Sequence, residues 1–447
     1  MKFEVADGIT LSNEYLTQRC YFIASQLFLE NHFIQMGVAN ASSENPCFTR
    51  FKSVDLSQVV HIYEETPFWT RKDMERRLEE VLHTEMPLDE ISPLMRITCF
   101  WHHSRLNEFL MILNFNHVLS DGNGARLIVE TLLRSIHNEK FSTGHLESSI
   151  LHFDYLEGGY HCNDTIERMN PTSLSLMEKL PIIAHLNYMP ASIKRHRNRF
   201  WAGTKRQEWE ACNCRIRVMS VPTGDMMSFI GTCMQNKVTP HAGLYTVIIQ
   251  SISDVFSNGQ PLTLRSSTMV NVRRACKVPD EETGIFVTPV TRDTVVKPHA
   301  LEDTKNFWDE SAKYKMYLRT HYLESLKLSN MLNYISDNFP NRLLNLWSKN
   351  LEVYPMGRSS SFILNDMGQM HIEQGGEWTC KELSVAQTAI VTGGALLISF
   401  IGGESLEHFT GTMGYQKGAI TEEESDKLVA AITNNIRKYA MLGTTKL

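Results

Sequence analysis

Phe115-Asn116-His117-Val118-Leu119-Ser120-Asp121-Gly122 is the stretch on which the fold turns. It follows the apolar run Phe109-Leu110-Met111-Ile112-Leu113, and behind it Gly122 and Gly124 open a helical pattern from Ala125 to Leu133. A buried strand, a short polar turn and a helix are therefore expected in succession, with the histidine in the turn. A neutral imidazole at the end of a buried strand is placed to take a proton near pH 7. Residue types alone leave other readings open. On one helix, His117 and Asp121 would share a face and suit a metal, but no third ligand follows at recognisable spacing. A calcium loop would need a twelfth-position glutamate, which Asp121-Gly122-Asn123-Gly124 lacks. A histidine with a purely structural role stands beside the general base.

Working outward, 447 residues are long for one core and predict two domains. A hydrophobic content of 42% with 21% charged residues is that of an ordinary soluble globular chain. A net charge of -6 gives no electrostatic reason to expect nucleic acid. The nine cysteines are odd in number and scattered, and Cys212-Asn213-Cys214 has the spacing of neither a zinc knuckle nor a redox motif. Reduced thiols in an intracellular protein are expected. The start of the chain lacks the apolar core of a secretory signal. No apolar run reaches the ~18 residues of a membrane span, and Ala389 to Phe400 reads as core strands. Thr445-Lys446-Leu447 faintly echoes a peroxisomal address. The expectation is a cytoplasmic monomer, with peripheral contact to an endomembrane or lipid droplet left open.

Helical and extended patterns alternate along the chain. Helices are predicted over 15–29, 72–83, 240–252, 306–326 and 422–439, with Thr239-Pro240 as cap and first turn of the third. Strands are predicted near 48–51, 59–63, 93–101, 108–116, 215–219, 262–272, 359–364 and 390–400. Residues from about 141 to 207 carry Pro171, Pro181, Pro190 and the basic run Lys194 to Arg199, and read as an irregular crossover. The division expected is 1–180, a crossover at 181–214, and 215–447.

The spacing His117-x-x-x-Asp121-Gly122 resembles the signature of the chloramphenicol-acetyltransferase-like superfamily, which holds CoA-dependent acyltransferases and condensation domains. Further matches fall in the right order. Asn271-Val272-Arg273 resembles the Asn-x-Arg strand of the second half, and Gly284-Ile285-Phe286-Val287 is similar to the segment after it. Phe307-Trp308 opens the next long helix, and Asn365-Asp366-Met367-Gly368 looks like a variant of the Ser-Asn-x-Gly turn. The resemblance runs from about residue 10 to 440 and looks closest to the fungal alcohol acetyltransferases. Asn116 stands where many relatives carry a second histidine, and Asn365 replaces the usual serine. The Asp-Phe-Gly-Trp-Gly element of plant BAHD enzymes is absent.

The resemblance implies an α/β fold of two chloramphenicol-acetyltransferase-like domains, with mixed sheets and a channel between them. It implies His117 as catalytic base, acetyl-CoA as co-substrate, and no bound cofactor or metal. Asp121 would turn from the substrate and pair with Arg273, with Arg274 as fallback, and Gly122 would support the loop. Asn365 is a candidate oxyanion or substrate contact, although a structural turn is its plainer role. Lys194, Arg195 and Arg197 are candidate CoA contacts, against a solvated charged crossover. Three functions follow: O-acetylation of a small or lipophilic alcohol, N-acetylation of an amine such as a sphingoid-like base, or a silent binding protein of the same fold. A peptide-synthetase condensation domain is a weaker fourth, because no carrier or adenylation segment accompanies it.

Overall fold

The computed structural model describes the chain except residues 66–69, 106, 139–140, 142–147, 155–163, 171–172, 206–212, 333–337, 391 and 445–447. Cys212 and the terminal Thr445-Lys446-Leu447 lie outside the described residues.

The chain begins with β1 (Lys2–Val5), then α1 (Asn13–Glu30), whose first turn is capped by Ser12 accepting from the Tyr15 N–H. Leu16, Cys20, Ile23 and Leu27 recur at helical spacing and are all fully buried, so this face seats α1 on the first core. Short strands follow: β2 (Met36–Ala39) with β3 (Cys47–Arg50), and β4 (Ser53–Asp55), which pairs with the later β8 (Ile150–His152). β5 (Val60–Glu64) lies parallel to β6 (Met95–Trp101), and β6 forms an antiparallel hairpin with β7 (Glu108–Phe115). Between β5 and β6 runs α2 (Arg71–His83), started by a Thr70–Asp73 capping box. After β7 comes α3 (Gly122–Ser135).

The crossover is more regular than its prolines suggest. It holds α4 (Ile166–Met169), α5 (Leu176–Asn187) and α6 (Ala191–Arg197). Helix α5 starts on a Ser175–Glu178 capping box and runs through Pro181. That proline forfeits one backbone hydrogen bond, and its ring crowds the carbonyl of Met177 four residues back.

The second body contains β9 (Cys214–Pro222), α7 (Thr223–Gln235), α8 (Pro240–Phe256), β10 (Leu262–Asn271), the single turn α9 (Arg273–Cys276) and β11 (Val287–Val296). It continues with α10 (Thr304–Leu328), α11 (Asn341–Val353), β12 (Ser360–Gln369), β13 (Trp378–Glu382), β14 (Gly394–Gly402), β15 (His408–Gln416) and α12 (Glu422–Thr444). Its six-stranded sheet has the order β11-β10-β12-β14-β15-β9, with β12 parallel to both β10 and β14. Every residue of β14 is buried, as expected of a central strand covered on both faces.

Two features bind the halves. β13 leaves the second body and adds to the five-stranded sheet of the first, whose order is β13-β1-β7-β6-β5. Met370, Ile372, Trp378, Cys380 and Leu383 thereby join the first core, where the Trp378 ring meets Phe3, Phe109 and Phe141. Residues 215–447 thus lend a strand to the first sheet. In addition, Leu78 and Val81 of α2 pack with Phe100, Leu110 and Ile112 of the first sheet and with Ile216 and Val218 of β9. The α2 carboxylates Glu75 and Glu79 accept from the Val218 and Ile216 N–H groups, each at 2.8 Å. These bonds satisfy an edge strand that would otherwise present bare N–H groups.

Two local expectations are corrected. Asn365 to Gly368 form no turn but lie inside β12, where irregular pairing with β14 and Gly368 at φ +70° absorb the extra residue. The strand expected over 390–400 is found at Gly394–Gly402, and Ile390 is exposed.

Candidate active site

The turn after β7 is organised by Asn116. Its N–H donates to the Leu94 carbonyl at 2.8 Å, its side-chain oxygen accepts from the Val118 N–H at 3.0 Å, and its carbonyl accepts from Leu119 at 3.1 Å. Leu119 then drops into the first core, fully buried. His117 is left at the tip, exposed, with no hydrogen bond to its ring among the described residues. The imidazole is thus presented on a pinned backbone with both nitrogens available to a reactant.

Asp121 points the other way. It caps α3 through the Gly124 N–H at 3.0 Å, and its carboxylate takes two bonds from Arg273, at 2.8 and 3.0 Å. The Phe286 N–H donates to it at 2.8 Å, and the Asp121 N–H donates to the Gly284 carbonyl at 2.9 Å. Four donors fill the acceptor sites of an ionised carboxylate, so no oxygen remains for substrate or metal. The guanidinium also reaches the carbonyls of Glu282 and Gly284 and lies over the Phe286 ring. Both side chains are essentially inaccessible, at 0% and 1%. A buried bidentate pair of this kind gives geometric rigidity as well as energy. Arg274, the fallback partner, is 91% exposed and 3.6 Å from Asp280.

Glycine is required where the halves touch. A Cβ on Gly124 would stand 1.9 Å from Ser120 Oγ, and Gly284 adopts φ +137°, a conformation closed to most side chains. Gly122 faces Met367 of β12, whose sulfur would lie 3.1 Å from an added Cβ. The turn that carries His117 therefore abuts the end of β12.

Asn365 shares the alternating face of Met367, turned toward the first body. Its Nδ2 donates to Gln387 Oε1 at 2.7 Å. Across the sheet it is in register with Ser399 of β14, which is opposite Thr412 of β15. Ser399 is 1% exposed, and its hydroxyl has no hydrogen-bond partner among the described residues; the buried Thr410 hydroxyl is in the same state. The sequence gives no sign of Ser399, which is embedded in the run Leu396 to Phe400. Asp366 faces the opposite side, 3.5 Å from His241 Nδ1.

The basic crossover is placed elsewhere. Arg195 of α6 donates to the Glu352 carbonyl and, with Arg199, Trp201 and Tyr354, lines an open cavity of about 570 Å³. The Trp201 N–H bonds the Thr263 carbonyl, at the start of β10, whereas Asn271 and Arg273 are at its end. Thr263 and Asn271 are separated by about 26 Å at the usual strand rise. Lys194 and Arg197 share α6 with Arg195, so none of the three is brought to His117.

No family model matches the chain, and no curated protein does so. Solved structures do. TRI3 trichothecene 15-O-acetyltransferase from Fusarium sporotrichioides superimposes with a TM-score of 0.68 at 13% identity, over 98% of this chain and 90% of that one. The epimerization domain of the third module of tyrocidine synthetase B gives 0.60 at 12% identity, covering 100% and 91%. The condensation domain of the Monacolin K polyketide synthase MokA gives 0.55 at 10%, covering 98% and 91%. The fold is that of condensation domains and chloramphenicol-acetyltransferase-like acyltransferases. At these identities the likeness speaks of fold, and the two-body mixed α/β architecture agrees with it.

Proposed function

We propose that this chain is an acyl-CoA-dependent acyltransferase, close in kind to the fungal alcohol acetyltransferases, that moves acetyl from acetyl-CoA to an alcohol hydroxyl. The observation that carries the reading is the buried Asp121–Arg273 pair, which braces the turn while His117 stays exposed and uncommitted at its tip. With no bond to its ring among the described residues, both His117 nitrogens are open to a reactant.

In the proposed step, a neutral His117 nitrogen accepts the hydroxyl proton as the alcohol oxygen attacks the thioester carbon. The tetrahedral adduct collapses with cleavage of the carbon–sulfur bond, and the imidazolium returns its proton to the departing thiolate. The products are an ester and free CoA, and atoms and charge balance without a redox partner. The polar row Asn365, Gln387 and Ser399 supplies hydrogen-bonding groups beside the turn for the acceptor or oxyanion. Asp121 and Arg273 act by positioning, because no part of the carboxylate is open to a reactant.

The test is thiol release by purified protein given acetyl-CoA and a panel of aliphatic and polycyclic alcohols beside matched amines. Release that depends on an alcohol, with the acetyl ester recovered, is the expected result. Release only with amines would replace the O-acyl reading with an N-acyl one. Bound acetyl-CoA with no release across the panel would favour a silent binding protein.

A further inference from the structure

Helix α5 carries its apolar side outward. Leu176, Met177, Leu180, Pro181, Ala184 and Tyr188 fall on one arc of the helix, and all are exposed. Leu176 is 71%, Met177 78% and Tyr188 80% accessible. The half-buried Lys179, Ile182 and Ile183 occupy the opposite arc, and the Lys327–Glu178 pair at 2.5 Å fastens the helix to the end of α10. A solvent-facing arc with no charged residue reverses the usual amphipathic arrangement, and an exposed apolar patch of this sort marks a contact surface.

What covers it is indicated by charge. Beyond Lys179, which lies on the inner arc, residues 176–199 carry four cations, Lys194, Arg195, Arg197 and Arg199, against the single acid Glu178, in a chain whose net charge is -6. Glu178 is itself held well below the usual carboxylate range, at about 2, by Lys327 and Ser175. Ile193, 45% exposed on the basic helix α6, extends the apolar surface into the cationic one. Apolar side chains that project beside clustered Lys and Arg are the composition of a segment that rests in the headgroup layer of an anionic bilayer.

We infer that α5 and α6 form a docking surface for an anionic lipid membrane. The α5 side chains insert among the headgroups, and the α6 cations meet the lipid phosphates and carboxylates. This surface stands independently of the reaction proposed above. It would also bring the open cavity lined by Arg195 and Arg199 close to the membrane plane.

Vesicle flotation of the full chain tests it, with phosphatidylcholine vesicles alone and with about 30% phosphatidylserine added. The protein is expected to float with the anionic vesicles and to lose most of that binding in about 0.5 M salt. Leu176→Asp with Leu180→Asp should lower the floated fraction about tenfold while the melting curve is unchanged. Arg195→Glu with Arg197→Glu should remove the preference for anionic vesicles. A wild-type chain that stays at the bottom with both vesicle types overturns the inference, as does a Leu176→Asp, Leu180→Asp variant that floats like wild type. A concentration-dependent dimer, seen by light scattering without vesicles and abolished by the same pair, would assign the face to a second copy instead.

Discussion

Asp121 and Arg273, 152 residues apart, hold each other through two hydrogen bonds of 2.8 and 3.0 Å with both side chains out of contact with water. One lies on the turn that carries His117, the other opens the single turn α9 just after β10 in the second body, so the pair is a cross-tie. Its removal leaves more than a lost ion pair. With Asp121→Ala, the Arg273 guanidinium is buried without its counter-charge, and the Gly124 and Phe286 N–H groups lose their acceptor. A loss of ~3–5 kcal/mol in urea unfolding is expected for either Asp121→Ala or Arg273→Ala. Arg273→Lys should recover only part, because an ammonium cannot reproduce the two-pronged contact.

The glycines of the turn should separate by position. Helix propensity alone favours alanine at both. Yet Gly124→Ala would drive a methyl into the buried Ser120 hydroxyl at 1.9 Å, whereas Gly122→Ala meets the flexible end of Met367 at 3.1 Å. Gly124→Ala should cost about 1–3 kcal/mol and reduce any turnover, with Gly122→Ala clearly milder. Paired unfolding and rate measurements on the two variants check the order.

Much of this was legible in the residues. The apolar run Phe109 to Leu113, the glycines after Asp121 and the Thr239-Pro240 start each obey a local rule, and the elements they predict are present. The pairing of Asp121 with Arg273 came from resemblance, since nothing local joins positions so distant. What escaped detection is tertiary in origin. The return of β13 to the first sheet is written only in a five-residue strand whose partner is at the chain's start. Asn365 to Gly368 carry turn residues, yet the pairing of Asn365 and Asp366 with β14 keeps the segment within the strand, and the irregularity is confined to Met367 and Gly368. Ser399 is one hydroxyl in an apolar run, and only the neighbouring Asn365 makes its position informative.

Ser399→Ala offers a test of the polar row. A buried hydroxyl without a partner costs stability, so its removal should raise the unfolding free energy of the ligand-free protein by about 0.5–1 kcal/mol. If the hydroxyl serves the acceptor, the same variant should raise KM for that acceptor and leave KM for acetyl-CoA unchanged. A drop in stability would show that the hydroxyl is already bonded in the free protein.

His61, half-buried on β5, has its pKa lowered from 6.5 by burial and, to a lesser degree, by Arg96. The fold prefers the neutral ring. Its contribution is intact above pH 6.5 and is lost as the pH falls from there through the lowered folded value. Wild type should therefore lose about a few tenths of a kcal/mol more than His61→Gln between pH 7.5 and 5.5, the effect being small because the group is partly solvated. Urea midpoints of the two proteins at each pH give the comparison.

In the proposed reaction His117 moves the proton. Its ring is exposed and unbonded among the described residues, so His117→Ala should leave the unfolding free energy within about 0.5 kcal/mol of wild type. The decisive measurement is acceptor-dependent thiol release from acetyl-CoA by that variant, beside wild type, at saturating acceptor. The predicted result is a fall of about 10²–10⁴-fold in rate with an unchanged melting curve. Undiminished release by a folded His117→Ala protein would contradict the assignment and return His117 to a bystander at the tip of the turn.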